Sequence, residues 1–214
     1  MNLKSIISLS FIALNLIAEA QTLSAPMEKA ISACQSLSAA IGFASTSPLS
    51  AANMQLKSAD IVDFADIVLV KGQEMNVNGH FVFDEVFVDS LIVNQKVMTF
   101  SRQYLVDRTS RSSTGVDGRI CMTTKGLKAG KSAIWKTVNR DVAEFAVVAE
   151  PGGMLTMTLR DKNGNVLYTE TEHNKQGASM RKAQIKLPAE KRTELFIEIV
   201  NHGKKDVSFA ILKN

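Results

Sequence analysis

The chain of 214 residues is poor in the residue types on which most active sites are built: two cysteines, three histidines, one tryptophan and two tyrosines. Cysteines as far apart as Cys34 and Cys121 carry no metal-site spacing. His80, His173 and His202 stand in separate turn-like contexts with no close pair, whereas zinc needs three or four converging ligands. Loop histidines are the plain reading. Neither a Gly-x-Ser-x-Gly elbow nor a Gly-rich phosphate loop occurs. Cys121 lies on a predicted strand with no nearby base, and carboxylate pairs such as Asp84 with Glu85 have no cleft to occupy, so a glycosidase reading has no support. The 25 Lys and Arg are interleaved with 21 Asp and Glu rather than gathered into the basic stripe of a nucleic-acid binder. Beyond the N-terminus no apolar run is long enough to span a bilayer. An enzyme is thus left without a constellation, and no cofactor or metal is implied.

What is present begins with an export signal. Lys4 supplies a positive start, Ile6 to Ile17 an apolar stretch, and Ala18-Glu19-Ala20 the small residues that a signal peptidase reads. Residues 1–20 are therefore expected to be removed, leaving a secreted or periplasmic chain from Gln21 with no membrane insertion. The two cysteines then meet an oxidising compartment. A Cys34–Cys121 disulfide, which in the chain-entropy model adds roughly 4 kcal/mol, competes with two buried free thiols acting as small apolar residues.

About 190 residues remain, enough for one medium domain or a small one with an appendage. Met27, Ala30, Ile31, Cys34, Leu37, Ile41 and Ala44 recur at three- and four-residue steps, predicting a helix over about 26–44 with Pro26 in its first turn. Ser45-Thr46-Ser47-Pro48 reads as a break, and a second helix follows over about 50–60. Two such short helices need a surface to pack on. Within 61–113, Ile67 to Val70 is a β-prone run, 84–93 leans to strand and 97–106 reads as strand. The polar stretch 107–118 marks a boundary, dividing an α+β segment over 21–113 from a β domain over 114–214. Arg102, Arg108, Arg111 and Arg119 give this connector a solvated basic character, or else a site for a trypsin-like processing protease.

From Arg119 onward the pattern alternates clearly. Ala143, Phe145, Val147 and Ala149 face one way, as do Leu155, Met157 and Leu159, then Leu195, Ile197 and Ile199, then Val207, Phe209 and Ile211. Asn163-Gly164 is a hairpin signal of the type that needs positive φ at both positions. Eight strands with one apolar face each predict two antiparallel sheets packed face to face, so the fold class is mainly β with a helical hairpin in front. The run from Leu155 through Asp161-Lys162-Asn163-Gly164-Asn165 to Leu167, and the closing Leu195 to Asn201 with its hairpin into Val207 to Leu212, resemble the bacterial prepeptidase C-terminal (PPC) module over residues 131–214. That resemblance implies a jelly-roll-like sandwich on an exported accessory protein and implies no activity.

Few residues then stand out as contact sites. Asp161, Asn163 and Asn165 place oxygens at alternate positions as calcium loops do, but a hairpin turn accounts for all three. Trp135 alternates with Ala133 and Thr137, which suits the core, with sugar stacking as the second reading. Tyr168, with Glu170 and Glu172 on its side of the strand, borders the polar loop from His173 to Ser179. Loops on a rigid scaffold commonly carry function, so Tyr168, Glu170, His173 and Trp135 are the candidate ligand contacts. The expected activity is non-enzymatic recognition of a surface glycan or an envelope protein, with assembly through sheet edges as the alternative.

Overall fold

The computed structural model describes residues 23–40, 46–59, 61–63, 67–76, 83, 88, 120–171, 178–188 and 192–214. The expected strands over 84–93 and 97–106, the connector arginines and His173 lie outside these residues, apart from Val88.

Two helices, α1 (Ala25–Ala40) and α2 (Thr46–Ser58), precede ten strands: β1 (Ile61–Asp63), β2 (Val68–Gly72), β3 (Ile120–Leu127), β4 (Ser132–Asn139), β5 (Val142–Pro151), β6 (Leu155–Asp161), β7 (Val166–Thr171), β8 (Ala178–Lys186), β9 (Thr193–Asn201) and β10 (Val207–Lys213). The second helix starts earlier than its composition suggested. Pro48 is its third residue, still in the first turn, where a missing N–H leaves no hydrogen bond unmade.

The strands form two sheets of five, in the orders β1-β3-β10-β5-β8 and β2-β4-β9-β6-β7. All pairings are antiparallel except that of β1 with β3. Strands β3 to β10 fall where the alternation placed eight strands, and their order is that of a jelly roll. Each step along the chain crosses from one sheet to the other, except β6 to β7. Strands β1 and β2 add one outer strand to each sheet. At Gly72, φ is +89°, and a Cβ would lie 2.8 Å from the Ala133 Cα, so only glycine lets β2 close on β4 there.

Period-two alternation splits the apolar residues between two cores. Ala143, Phe145 and Val147 of β5 turn inward with Phe209 and Ile211 to meet Trp135, Met157, Leu159, Ile197 and Ile199 of the other sheet. Each large side chain contributes about 1.5–3 kcal/mol on burial. The opposite parity, Ala146, Val148, Ala210 and Leu212, faces Met27, Ile31, Cys34 and Leu37 of α1 and Leu49, Ala52 and Leu56 of α2. The first sheet is therefore buried on both faces, which is why every residue of β10 is buried. The start of α1 is fixed by Glu144. Its carboxylate accepts hydrogen bonds from the Ser24 N–H at 2.6 Å, the Ser24 hydroxyl at 2.5 Å and the Gln184 amide at 3.1 Å. A carboxylate here also meets the positive end of the helix dipole.

The same parity decides between the disulfide and the two buried free thiols. Cys34 and Cys121 are both buried and both free. Cys121 points into the sandwich, whereas its neighbours Ile120 and Met122 face the helices, where Cys34 donates its thiol to Met122 Sδ at 3.6 Å. The sheet itself stands between the two sulfurs.

The hairpin is likewise of another type. Gly164 has φ +86°, but Asn163 stays in the ordinary negative region. The Gly164 N–H bonds the Asp161 carbonyl at 3.0 Å, and Asp161 Oδ1 accepts the N–H groups of Asn163 and Asn165 at 2.8 and 2.9 Å. This is a three-residue loop with a left-handed glycine, and the register slips between Leu159 and Arg160. The Asp161 side chain outbids the two-residue turn by satisfying amides that such a turn would leave to water.

Candidate functional site

The sequence-derived contacts do not come together. Trp135 is fully buried, packed edge-to-face on Phe209 with ring centroids 5.9 Å apart, so it has no face for a sugar. That corrects its place among the ligand contacts: its parity on β4 is inward. Tyr168 is half-buried against the same core, on outer strand β7. Glu170 lies in β7 opposite Met157, but its side chain is outside the described residues, as are Glu172 and His173. The Asp161 loop has its carboxylate taken up by Asn163 and Asn165, Oδ2 holding the Asn165 amide at 2.8 Å. Those bonds, the Asn165 side chain foremost, hold the Asp161 carboxyl below its ordinary range. Among the described residues no group of three or more His, Cys, Asp or Glu is placed to hold a metal, and no helix is long and apolar enough to cross a membrane.

A different surface is built. The helices bury their apolar sides on the first sheet, and neither contributes to the apolar cluster between the sheets. The outer face of the second sheet is left to the half-buried residues of opposite parity: Ile134, Lys136 and Val138 on β4, Glu194, Phe196, Glu198 and Val200 on β9, Thr156 and Arg160 on β6. The register aligns five of these positions in one row across the sheet: Val68, Lys136, Phe196, Arg160 and Val166. With neighbouring strands about 4.8 Å apart, the row is about 19 Å long.

Phe196 occupies its centre with a cation on either side, and each cation is paired. Lys136 Nζ meets Glu194 Oε1, while Arg160 places Nε and Nη2 on Glu198 Oε2 at 3.1 and 2.9 Å and Nη1 on the Gly164 carbonyl at 3.4 Å. Hydroxyls flank the row. Thr169 donates to Thr158 at 3.1 Å, and Thr156 Oγ1 shares a 2.7 Å hydrogen bond with His202 Nε2. The result is an aromatic ring inside a band of balanced charge and hydroxyl groups. Such a band can donate and accept hydrogen bonds along a neutral polar chain and gives a polyanion no net charge to seek. Phe196 was readable from the sequence: in Glu194 to Val200 it shares parity with the two glutamates rather than with Leu195, Ile197 and Ile199.

Neither a family model nor a curated protein matches this chain. Among solved structures it is similar to the pre-peptidase C-terminal domain of a Bacillus anthracis collagenase, at 11% identity over 42% of this chain and 86% of that one, TM-score 0.31. It is also similar to the mitogen of Yersinia pseudotuberculosis, at 9% identity over 45% and 85%, TM-score 0.32. A third is a carbohydrate-binding module from Cellvibrio mixtus lichenase 5A in complex with cellotriose, at 12% identity over 44% and 86%, TM-score 0.29. The PPC module named from the sequence is thus among the β structures this chain resembles, and at such distance no residue role or ligand carries over.

Proposed function

We propose that this is an exported, non-enzymatic binding protein that holds a surface glycan across the outer face of the second sheet. The supporting observation is the row Val68, Lys136, Phe196, Arg160 and Val166, with an aromatic at its centre and its two cations neutralised in place. Sugars stack on aromatic faces and take hydrogen bonds from charged and hydroxyl groups, and the length of the row suits a short oligosaccharide rather than a single sugar. The other face of the sandwich is occupied by helices, so the roles of the two sheets are divided: one is core and the other is surface. Tyr168 is registered against inward-facing Leu159, so it contributes at most a secondary contact at the sandwich edge beside β7. The chain is secreted or periplasmic, after cleavage near Ala20.

Glycan-array binding of the secreted protein, followed by calorimetry on the best ligand, tests the reading. Phe196→Ala is expected to weaken binding at least tenfold, and Tyr168→Ala to have a smaller effect. A ligand held equally well by Phe196→Ala would remove the sheet face from the proposal. An empty array, with an envelope protein cross-linked through Phe196 instead, would replace the glycan by a protein partner.

A further inference from the structure

Eight large apolar side chains are exposed among the described residues, and five of them lie on just two strands: Val68, Leu69 and Val70 on β2, at 58, 37 and 48%, and Val166 and Leu167 on β7, at 54 and 40%. Among the described residues those two strands are the opposite edges of the second sheet. Edge strands carry a row of outward N–H and C=O groups, and proteins that must stay apart usually blunt them with charge. The β8 edge of the first sheet has that protection, with Lys182, Gln184 and Lys186 along it. On β2 three exposed apolar residues precede a single charge, Lys71, and on β7 Val166 and Leu167 stand exposed at its start.

We infer that copies of this protein join head to tail, the β7 edge of one copy pairing with the β2 edge of the next. Two features favour this over pairing of like edges. First, β2 and β7 run in the same direction, because four antiparallel steps separate them. Second, Val68 and Val166 are the two ends of one cross-strand row. A shift of one copy along that row brings Val166 against Val68, and Leu167 against Leu69, in parallel register, without reversing either chain. Pairing two β2 edges would instead leave Val166 and Leu167 uncovered. Unlike edges make a heterologous contact, whose product is an open chain unless the rotation that sheet twist adds at each step closes a ring. The inference stands apart from the glycan reading. If both hold, the Phe196 rows of successive copies line one surface and bind multivalently.

Light scattering on the full secreted chain over a range of concentrations tests it, with two variants altered only at exposed positions: Val68→Lys/Val70→Lys on β2 and Val166→Lys/Leu167→Lys on β7. Matching circular dichroism and melting temperatures establish that both fold. The wild type is expected to grow in mass with concentration, and each variant to be monomeric alone. An equimolar mixture of the two is expected to form a one-to-one dimer, since each supplies the edge that the other lacks. A wild type that stays monomeric throughout overturns the inference. So does a single variant that still dimerises, which would mean like-edge pairing.

Discussion

Glu74 ties the two sheets together through Trp135: its Oε2 accepts the indole N–H at 3.3 Å, while Oε1 meets Lys125 Nζ on the facing sheet at 2.8 Å. The carboxylate thereby gives both a buried donor and a half-buried cation a partner beside the β2 edge. Glu74→Ala strands the indole N–H, and with partial solvent access at this edge the cost is about 1–2 kcal/mol in denaturant unfolding. Glu74→Gln keeps an acceptor for Trp135 and should recover part of that loss. Trp135 is the sole tryptophan, so native emission should be blue-shifted and insensitive to iodide. Emission typical of water-exposed indole would contradict the packing.

The two thiols make a second prediction. Burial pushes the Cys34 thiol up to about 12 from its ordinary 9.0. The unfolded chain therefore gives up this proton first, and the native state holds more protons between the two values. Stability contributed by Cys34 is intact below pH 9 and falls as pH rises towards 12, by at most about 1.4 kcal/mol per pH unit. Cys34→Ala should flatten this part of the curve. Intact protein should show two thiols that react with a maleimide dye only on unfolding, and recovery of a Cys34–Cys121 crosslinked peptide from native protein would refute the arrangement.

Glu144 anchors the first helix, so its removal should free the helix before it unfolds the sandwich. Glu144→Ala leaves the Ser24 N–H and hydroxyl and the Gln184 amide without their shared acceptor. A loss of about 3 kcal/mol is expected for a buried carboxylate with several donors. Hydrogen exchange should accelerate across α1 more than across β10. Uniform acceleration of both would show that the helix is no separate unit of stability.

At the β6–β7 turn, Gly164→Ala forces a side chain into left-handed backbone at φ +86°, with open space around it, so strain alone acts, at about 1–2 kcal/mol. Asp161 titrates below its ordinary 3.8 because the ionised form accepts the Asn165 and Asn163 donors. The turn is accordingly firm above that value and loosens as pH falls below it. Carboxyl chemical shifts followed by NMR should show the depressed midpoint, and Asp161→Ala should abolish any acid loosening of the Asn163 and Asn165 amides.

Alternation made strands β3 to β10 legible, because Phe145, Met157, Ile197 and Phe209 each sit in runs long enough to define parity. The parity of single residues carried further than their chemical type. Trp135 drew attention as an aromatic, yet its inward parity decides its role. Phe196 was hidden among isoleucines, yet its outward parity puts it on the surface. For Cys34 and Cys121 composition left bridge and free thiols both open, and the inward parity of Cys121 on β3 places it on the far side of the sheet from Cys34. What the sequence could not supply was pairing: three residues of β1 and five of β2 are too short for alternation to say which sheet they would join. The Asp161 turn was misread for a local reason, a side chain competing successfully with the backbone preferences of Asn163 and Gly164.

The place of β10 has a consequence for how the molecule is made. It lies between β3 and β5, so the last strand of the jelly roll bonds the first and the third. A chain emerging from its N-terminus can form the β6–β7 hairpin at once, but the first sheet keeps a gap in its middle until Val207 to Lys213 arrive. The helices, too, lack part of their floor until Ala210 and Leu212 are in place beside Ile120, Ala146 and Val148. Nearly every strand pair joins distant segments, so folding is slow and all-or-none in character. Until that seven-residue strand is available, the first sheet stays open at its centre.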